Sequence, residues 1–480
     1  MKAFSLPKKI GFIAGPLLCV LVLLLPVDLI NPAIDKVIAV ALWMIAWWIT
    51  EAVSISITAL IPLALFPLLG IGDIKSVASN YANPIVYLFF GGFVIALALE
   101  NVQLHKRIAL SILKITGTKA NGIILGFMIA TALMSMWISN TASTVVMLPI
   151  AVSVIQLLID DSDGFTKNDR NFALSIMLGI AFSANIGGMA TLIGTPPNSV
   201  MLGILNDEGI DISFFQWMKM GVPFAIVLLT IAFFCITRLF FPNRLGHIGG
   251  SGTIIQNEIN KLGKMSRAEK IVLIIFLLTA IAWMLRSYLN GLLPNINLTD
   301  TTISMLAALL LFIVPVDFKK GRFPIQWKDT SRLPWGILVL FGGSLALASG
   351  LKDSGLIALI GNYISGQQDW SIWIVIAILI ILMLFMTELM SNVALVTVLI
   401  PLVIGIAGGF NAPILTMVIP VTLASSCAFM LPMATPPNAI VFASGHVRVD
   451  QMARIGVVLN VIAVTLLFGL AYWVVPVLFG

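Results

Sequence analysis

Apolar runs recur along the whole chain, near 10–25, 37–49, 55–69, 84–99, 123–158, 172–205, 222–240, 271–289, 303–315, 335–349, 372–408, 413–444 and 457–478. A helical bilayer crossing needs about 20 apolar residues. Inside hydrocarbon every backbone N–H and C=O must be bonded within the chain, which leaves helices or closed barrels. Of 480 residues, 59% are hydrophobic and 10% charged, whereas a soluble domain carries about 25% charged residues. The short alternating strands of a barrel are missing from this pattern. The expectation is an all-α polytopic membrane protein. The longest polar connection, 242–268, is too short and too rich in Gly, Asn and Lys to build a core of its own. Lys2, Lys8 and Lys9 precede the first run as in a signal peptide. No small-residue cleavage pattern follows Leu25, and Pro26-Val27-Asp28 comes next, so this run reads as the first membrane helix.

Polar strings interrupt the apolar runs in two matched sets. Ser135-Met136-Trp137-Ile138-Ser139-Asn140-Thr141 breaks 123–158, and Thr387-Glu388-Leu389-Met390-Ser391-Asn392-Val393 breaks 372–408. Thr195-Pro196-Pro197-Asn198 and Thr435-Pro436-Pro437-Asn438 break 172–205 and 413–444. The turns at Ser139 and Ser391 hold too little charge to reach water on the far side. They read as re-entrant hairpins with tips at mid-membrane. Irregular backbone at that depth is tolerated where it is buried or lines a cavity.

Hairpins that return to their own side leave eleven crossings. With the N-terminus inside, the basic loops 105–119, 244–270, 319–332 and 448–454 are cytoplasmic, the acidic stretch 207–211 is external, and so is the C-terminus. The net charge of +6 is then a membrane signature and no sign of a nucleic-acid partner. Phe90-Gly91-Gly92 and Phe341-Gly342-Gly343, expected to open the fourth and ninth helices, complete a threefold match. The offsets are 251, 252 and 240 residues in unchanged order. Five crossings separate the copies, an odd number, so the two halves have opposite orientation. The expected organisation is one transporter unit over 1–480. Residues 1–36 form the first helix and outer loop. The first inverted repeat is 37–240 (hairpin 123–158), the cytoplasmic loop 241–270, and the second repeat 271–480 (hairpin 372–408).

Hydroxyls, amides and freed carbonyls are hard oxygen ligands suited to a dehydrated Na+. Half-helix N-termini offer N–H groups and a positive dipole end to an anion. One broken-helix site can therefore hold both. The plainer alternative is that Ser, Thr and Asn bond between helices and the prolines kink them; duplication of paired motifs argues against it. Glu388, the most deeply placed acid, reads as a structural hydrogen-bonding group before a ligand. Glu51 and Glu100 are expected at membrane edges. His105, His247 and His446 are expected to be solvated, and the tryptophans at 47, 48, 217, 327, 335, 370 and 373 to form an aromatic belt. Cys19, Cys235 and Cys427 lack paired spacing and read as small buried hydrophobes. Asp160, Asp161 and Asp163 before Gly164 lack the remaining ligands of a calcium loop. Without HExxH, an Asp-rich metal pair or a nucleophile–base pair in a membrane segment, an intramembrane enzyme is not expected.

At these residues the chain resembles the divalent anion/sodium symporter family, and within it the INDY-type bacterial dicarboxylate transporters. The Ser-Asn-Thr and Ser-Asn-Val pair carries the resemblance. It implies an eleven-helix homodimer in a bacterial inner membrane, with a scaffold domain and a sliding, elevator-type transport domain. By motif it implies one Na+ site at Ser135, Ser139, Asn140 and Gly194. A second lies at Thr387, Met390, Asn392 and Ala434, with Met390 and Ala434 acting through carbonyls. Substrate carboxylates would meet Ser139, Asn140 and Thr141 on one side and Ser391, Asn392 and Val393 on the other, flanked by Thr195-Pro196 and Thr435-Pro436. Val393 leaves the second motif one hydroxyl short, which in this family suits a C4-dicarboxylate more than citrate. The expected activity is Na+-coupled import of succinate, fumarate or malate. A Na+-independent dicarboxylate exchanger and a Na+-coupled citrate or sulfate carrier remain alternatives.

Overall fold

The computed structural model describes residues 6–24, 31–159, 165–292, 295–365 and 371–479. Lys2, Leu25, Pro26, Val27, Asp28, Asp160, Asp161, Asp163, Gly164 and Trp370 lie outside them. Helices make up the fold, and among the described residues ten are long and apolar enough to cross a membrane. Leu6–Leu24 and Arg267–Leu292 turn rows of leucine and isoleucine outward, Leu6, Ile10, Ile13 and Leu17 on one and Ile274, Leu277, Leu278 and Ile281 on the other. Such rows suit lipid contact. The chain is a multi-pass membrane protein.

The interrupted runs fold as helix–break–helix units. They are Ala120–Ser135 with Asn140–Ile159, Lys167–Gly188 with Pro196–Asp207, Ile372–Thr387 with Asn392–Gly409, and Ile414–Ala424 with Pro436–Ala443. Their packing repeats across the halves. Ala120–Ser135 packs on Lys167–Gly188, and Ile372–Thr387 on Ile414–Ala424. Asn140–Ile159 packs on Pro436–Ala443, and Asn392–Gly409 on Pro196–Asp207. Each half thus completes the other, and the interlocked units bury nearly all of Lys167–Gly188.

A smaller apolar cluster (Val37, Val40, Met44, Trp48, Phe66 and Leu347 among its members) joins Pro32–Thr50, Ile61–Leu69 and Trp335–Asp353 beside this body. The Phe-Gly-Gly strings lie inside Pro84–Asn101 and Trp335–Asp353 instead of opening them. Their glycines serve close packing. A Cβ on Gly91 would stand 2.7 Å from the Ser304 backbone, and one on Gly342 2.7 Å from the Tyr81 Cα.

The basic loop 105–119 is the amphipathic helix Leu104–Thr116 followed by Gly117. It is clipped to Ser251–Leu262 and the start of Arg267–Leu292. Lys106 Nζ meets Glu258 Oε2 at 2.8 Å, and Arg107 Nε meets Glu269 Oε1 at 2.6 Å. Hydrogen bonds from Lys106 and Lys261 hold the Glu258 carboxyl below its usual range.

Three expectations need correction. His105 is not solvated: the residue is 8% exposed and its Nδ1 lies 2.9 Å from the Leu99 carbonyl, because the turn at Gln103 folds it back onto the preceding helix. Trp48 and Trp217 are not belt residues but are fully buried. Their N–H groups bond the carbonyls of Ile55 and Met189, so each indole finds its polar partner inside the protein. By contrast Trp327 and Trp335 are exposed, as a belt requires. Glu51 and Glu100 pair at the surface with Lys8 and Arg332. The three cysteines are buried and free.

Candidate functional site

All four motifs lie where a helix begins. Asn140 and Asn392 open Asn140–Ile159 and Asn392–Gly409, and Pro196 and Pro436 open Pro196–Asp207 and Pro436–Ala443. The local chemistry explains three of the starts. Ser139 Oγ accepts from Ala142 N at 3.2 Å and Thr435 Oγ1 from Asn438 N at 3.4 Å, as N-cap side chains do. Thr195 and Thr435 are extended, with φ −141° and −142°. The prolines that follow stand where a helix needs no N–H. Four positive dipole ends result, and the Asn140 and Asn392 starts, which lack prolines, add first-turn N–H groups that no helical carbonyl takes.

Behind two of these starts lie matched oxygen clusters. Ser135 Oγ donates to the Ala184 carbonyl at 2.7 Å and lies 2.6 Å from the Asn140 amide. Thr387 Oγ1 donates to the Ser425 carbonyl at 2.7 Å and lies 2.6 Å from Asn392 Oδ1. A hydroxyl has one proton, so it cannot serve both oxygens. With the Asn140 amide turned, its nitrogen donates to Ser135 Oγ at 2.6 Å, Ala184 O at 3.2 Å and Gly194 O at 3.3 Å. Three oxygens therefore converge on one end of that amide. Gly188 and Gly194 make the room. A Cβ on Gly188 would lie 2.5 Å from Asn140 Oδ1, and one on Gly194 2.5 Å from the Gly188 carbonyl.

The breaks close in parallel ways. Asn198 Nδ2 donates to Thr191 O at 2.9 Å and Asn438 Nδ2 to Leu431 O at 3.1 Å, each seven residues back. The asparagine of Thr-Pro-Pro-Asn thus satisfies a carbonyl freed by the interruption. The hairpin tips are tied differently. Thr191 Oγ1 donates to Met136 O at 2.5 Å in the first half. In the second, Glu388 is 2% exposed. Its Oε1 accepts from Phe429 N (2.8 Å), Met430 N (2.9 Å) and Asn460 Nδ2 (2.8 Å), and its Oε2 from Leu431 N (3.1 Å). These four bonds are the contacts that a structural hydrogen-bonding role for Glu388 calls for. Trp137 anchors the first tip by stacking near Phe214 and Trp283 and edge-on to Phe276.

The structure thus joins Ser135, Asn140 and Gly194, and separately Thr387 and Asn392. Met390 and Ala434 lie on the adjoining turns, bonded to Met386 and Leu431. Ser139, Thr141 and Pro436 are exposed, Ser391, Asn392, Val393 and Pro196 half-buried, and Thr195 and Thr435 buried. Motif reading missed the carbonyls of Ala184 and Ser425, which a backbone supplies without a side-chain signature. It also missed Asn185, whose Nδ2 lies 3.3 Å from Ala428 O and 3.1 Å from Thr435 Oγ1. The asparagines of the duplicated Thr-Pro-Pro-Asn string were visible but carried no expected role.

The family model described as "Sodium:sulfate symporter transmembrane region" matches residues 9–479. The chain belongs to the sodium:sulfate symporter family. Within this symporter family it is 38% identical to the sodium-dependent dicarboxylate transporter SdcS of Staphylococcus saprophyticus, over 100% of this chain and 93% of the relative. The SdcS of Staphylococcus aureus strain USA300 is equally similar over the same shares. The family consists of transporters, so the chain is not an enzyme. The fold is shared with two distant transporters. The Alcanivorax borkumensis YdaH transporter matches with TM-score 0.51 and 11% identity over 83% of this chain and 87% of its own. Neisseria gonorrhoeae MtrF matches with TM-score 0.50 and 10% identity over 98% and 96%.

Proposed function

We propose that this symporter imports C4-dicarboxylates, succinate, fumarate or malate, together with Na+. The matched oxygen clusters carry the reading. Each sets a hydroxyl and an asparagine amide, five residues apart, against a carbonyl of a broken helix. The oxygens that converge on the Asn140 amide are the donor set a hard monovalent cation takes when the amide presents its oxygen instead of its nitrogen. One Na+ is held by Ser135, Ser139, Asn140 and Gly194, joined by the Ala184 carbonyl. The other is held by Thr387, Met390, Asn392 and Ala434, joined by that of Ser425. The dicarboxylate lies between the tips, on Ser139, Asn140, Thr141, Ser391, Asn392 and Val393, with Thr195-Pro196 and Thr435-Pro436 at its flanks. Bound cations supply the positive charge for which neither motif has a Lys or Arg, so the anion binds well only after Na+. The names of the SdcS relatives support both cargoes.

In this reading the breaks at Ser139 and Ser391 are re-entrant tips at mid-membrane, in inverted repeats 37–240 and 271–480. The chain works as a homodimeric elevator with a cytoplasmic N-terminus and an external C-terminus. Two negative charges moved inward against the membrane potential cost about 4.6 kcal/mol per 100 mV. Two Na+ cancel that charge, and any further cation makes uptake electrogenic.

Labelled succinate uptake into proteoliposomes, with and without a Na+ gradient and challenged by citrate, 2-oxoglutarate and sulfate, tests the proposal. Na+-driven uptake that citrate competes for poorly is expected. Uptake that ignores Na+ but needs internal dicarboxylate would mean exchange, and none at all would remove the substrate class. Gly188→Ala provides a local test. Its methyl group meets the Asn140 amide, and overpacking of this kind costs about 1–3 kcal/mol. Half-saturating Na+ should rise roughly tenfold in a protein that still purifies. A Na+ titration indistinguishable from the parent's would place the cation elsewhere.

A further inference from the structure

The first oxygen cluster takes its carbonyl from Ala184, and the next residue, Asn185, reaches into the other half of the molecule. Asn185 Nδ2 lies 3.3 Å from Ala428 O, 3.1 Å from Thr435 Oγ1 and 3.4 Å from Asn438 Oδ1. Ala428 lies within the break between Ile414–Ala424 and Pro436–Ala443 and Thr435 ends it, one residue after Ala434, a ligand of the second Na+ site in the reading above. Asn438 is the residue that closes this break through Leu431 O. Around this polar link the contacts between the halves are softer: the Phe182 and Phe429 rings at 5.3 Å, and Cys427 Sγ 3.9 Å from Met189 Sδ.

Asn185 also carries a cost. It is 1% exposed, and its Oδ1 has no hydrogen-bond partner among the described residues. A buried amide oxygen without a donor lowers stability, and an apolar side chain of similar size would avoid the loss. The amide is therefore retained for what its nitrogen does. That nitrogen fixes the second break from a residue adjoining a carbonyl of the first cluster.

We propose that Asn185 is the positioning residue that couples the two Na+ sites, so that cation binding at the Ser135–Asn140 cluster sets the geometry of the Thr387–Asn392 cluster. The inference rests on the Na+-coupled reading above. A cation drawn onto the Ala184 carbonyl shifts the helical turn that carries Asn185. Through Nδ2 that shift reaches Thr435 and the break around Ala434. Binding at the second site is then favoured once the first is filled. Asn185 touches neither cargo, so its loss weakens cooperation between sites before it weakens either one.

Succinate uptake measured against Na+ concentration tests this in the parent, Asn185→Leu and Asn185→Ala. The leucine variant keeps the volume and removes the bonds. The parent should respond sigmoidally. In both variants the Hill coefficient should fall towards one and half-saturating Na+ should rise about fivefold or more, the low end of coupling energies between sites. KM for succinate at saturating Na+ should stay within about twofold. A hyperbolic parent, variants that keep the parent's Na+ curve, or a loss confined to maximal rate would each overturn the proposal. If neither variant purifies as a monodisperse protein, Asn185→Ser keeps a polar group there but is too short to reach Ala428 O and Thr435 Oγ1. An unchanged Hill coefficient there overturns it equally. A parent whose uptake ignores Na+ removes the functional reading and this proposal together; a cooperative parent with unaltered variants removes this proposal alone.

Discussion

Asn140→Ala and Asn392→Ala should each abolish Na+-driven succinate uptake while the protein still inserts and purifies. Each asparagine does two jobs in the proposed site. Its side chain meets the hydroxyl five residues back, and its backbone opens a half-helix whose positive end the proposal assigns to the anion. Alanine keeps the helix start but removes the amide. The Ser135 and Thr387 hydroxyls retain their carbonyl partners at Ala184 and Ser425, so the fold survives on those bonds. The first cluster loses the group on which three oxygens converge. Loss of one strong ligand costs several-fold to a hundredfold in cation affinity, and two coupled cations multiply the effect. Uptake should therefore fall below detection, with unfolding temperature in K+ within a few degrees of the parent's. Near-normal uptake in either variant would make that motif a structural joint.

Glu388→Ala should show the opposite pattern, a large loss of stability. Three consecutive backbone N–H groups and the Asn460 amide share this one buried carboxylate. Each buried donor left without an acceptor costs about 1–3 kcal/mol, so the sum is comparable to the stability of a whole domain. The variant should accumulate poorly and lose its monodisperse peak at much lower temperature. Glu388→Gln keeps one acceptor oxygen and should recover part of the loss. A Glu388→Ala protein as heat-stable as the parent yet inactive would instead put the carboxylate on the transport path. The first half does without such a group because Thr191 Oγ1 reaches the Met136 carbonyl directly. The two tips are alike in their oxygen clusters and unlike in what supports them.

His105 shows how far the sequence alone can be trusted for single residues. A basic, amphipathic stretch predicted a surface helix, and Leu104–Thr116 is one. Which side His105 takes depended on the backbone turn at Gln103, with φ 58°, and a left-handed residue other than glycine leaves little trace in a pattern. Trp48 and Trp217 misled for a related reason. Position near a segment end is what a belt residue and an anchor for the next helix have in common. Only the neighbouring carbonyls of Ile55 and Met189 separate the two.

The membrane architecture and the breaks were legible because hydrocarbon enforces them. Long apolar runs have few solutions in a bilayer, and Ser-Asn or Thr-Pro-Pro-Asn inside such a run needs a polar partner nearby. Duplication in constant order made the pairing of Ser135 with Thr387 and Asn140 with Asn392 readable without coordinates. The tertiary structure decided what the strings meet. Carbonyls of Ala184 and Ser425 complete the clusters, Glu388 caps a neighbouring break, and Asn185 crosses between halves. Backbone oxygens belong to every residue type. Their role follows from where two broken helices cross, and that is settled only when both halves pack.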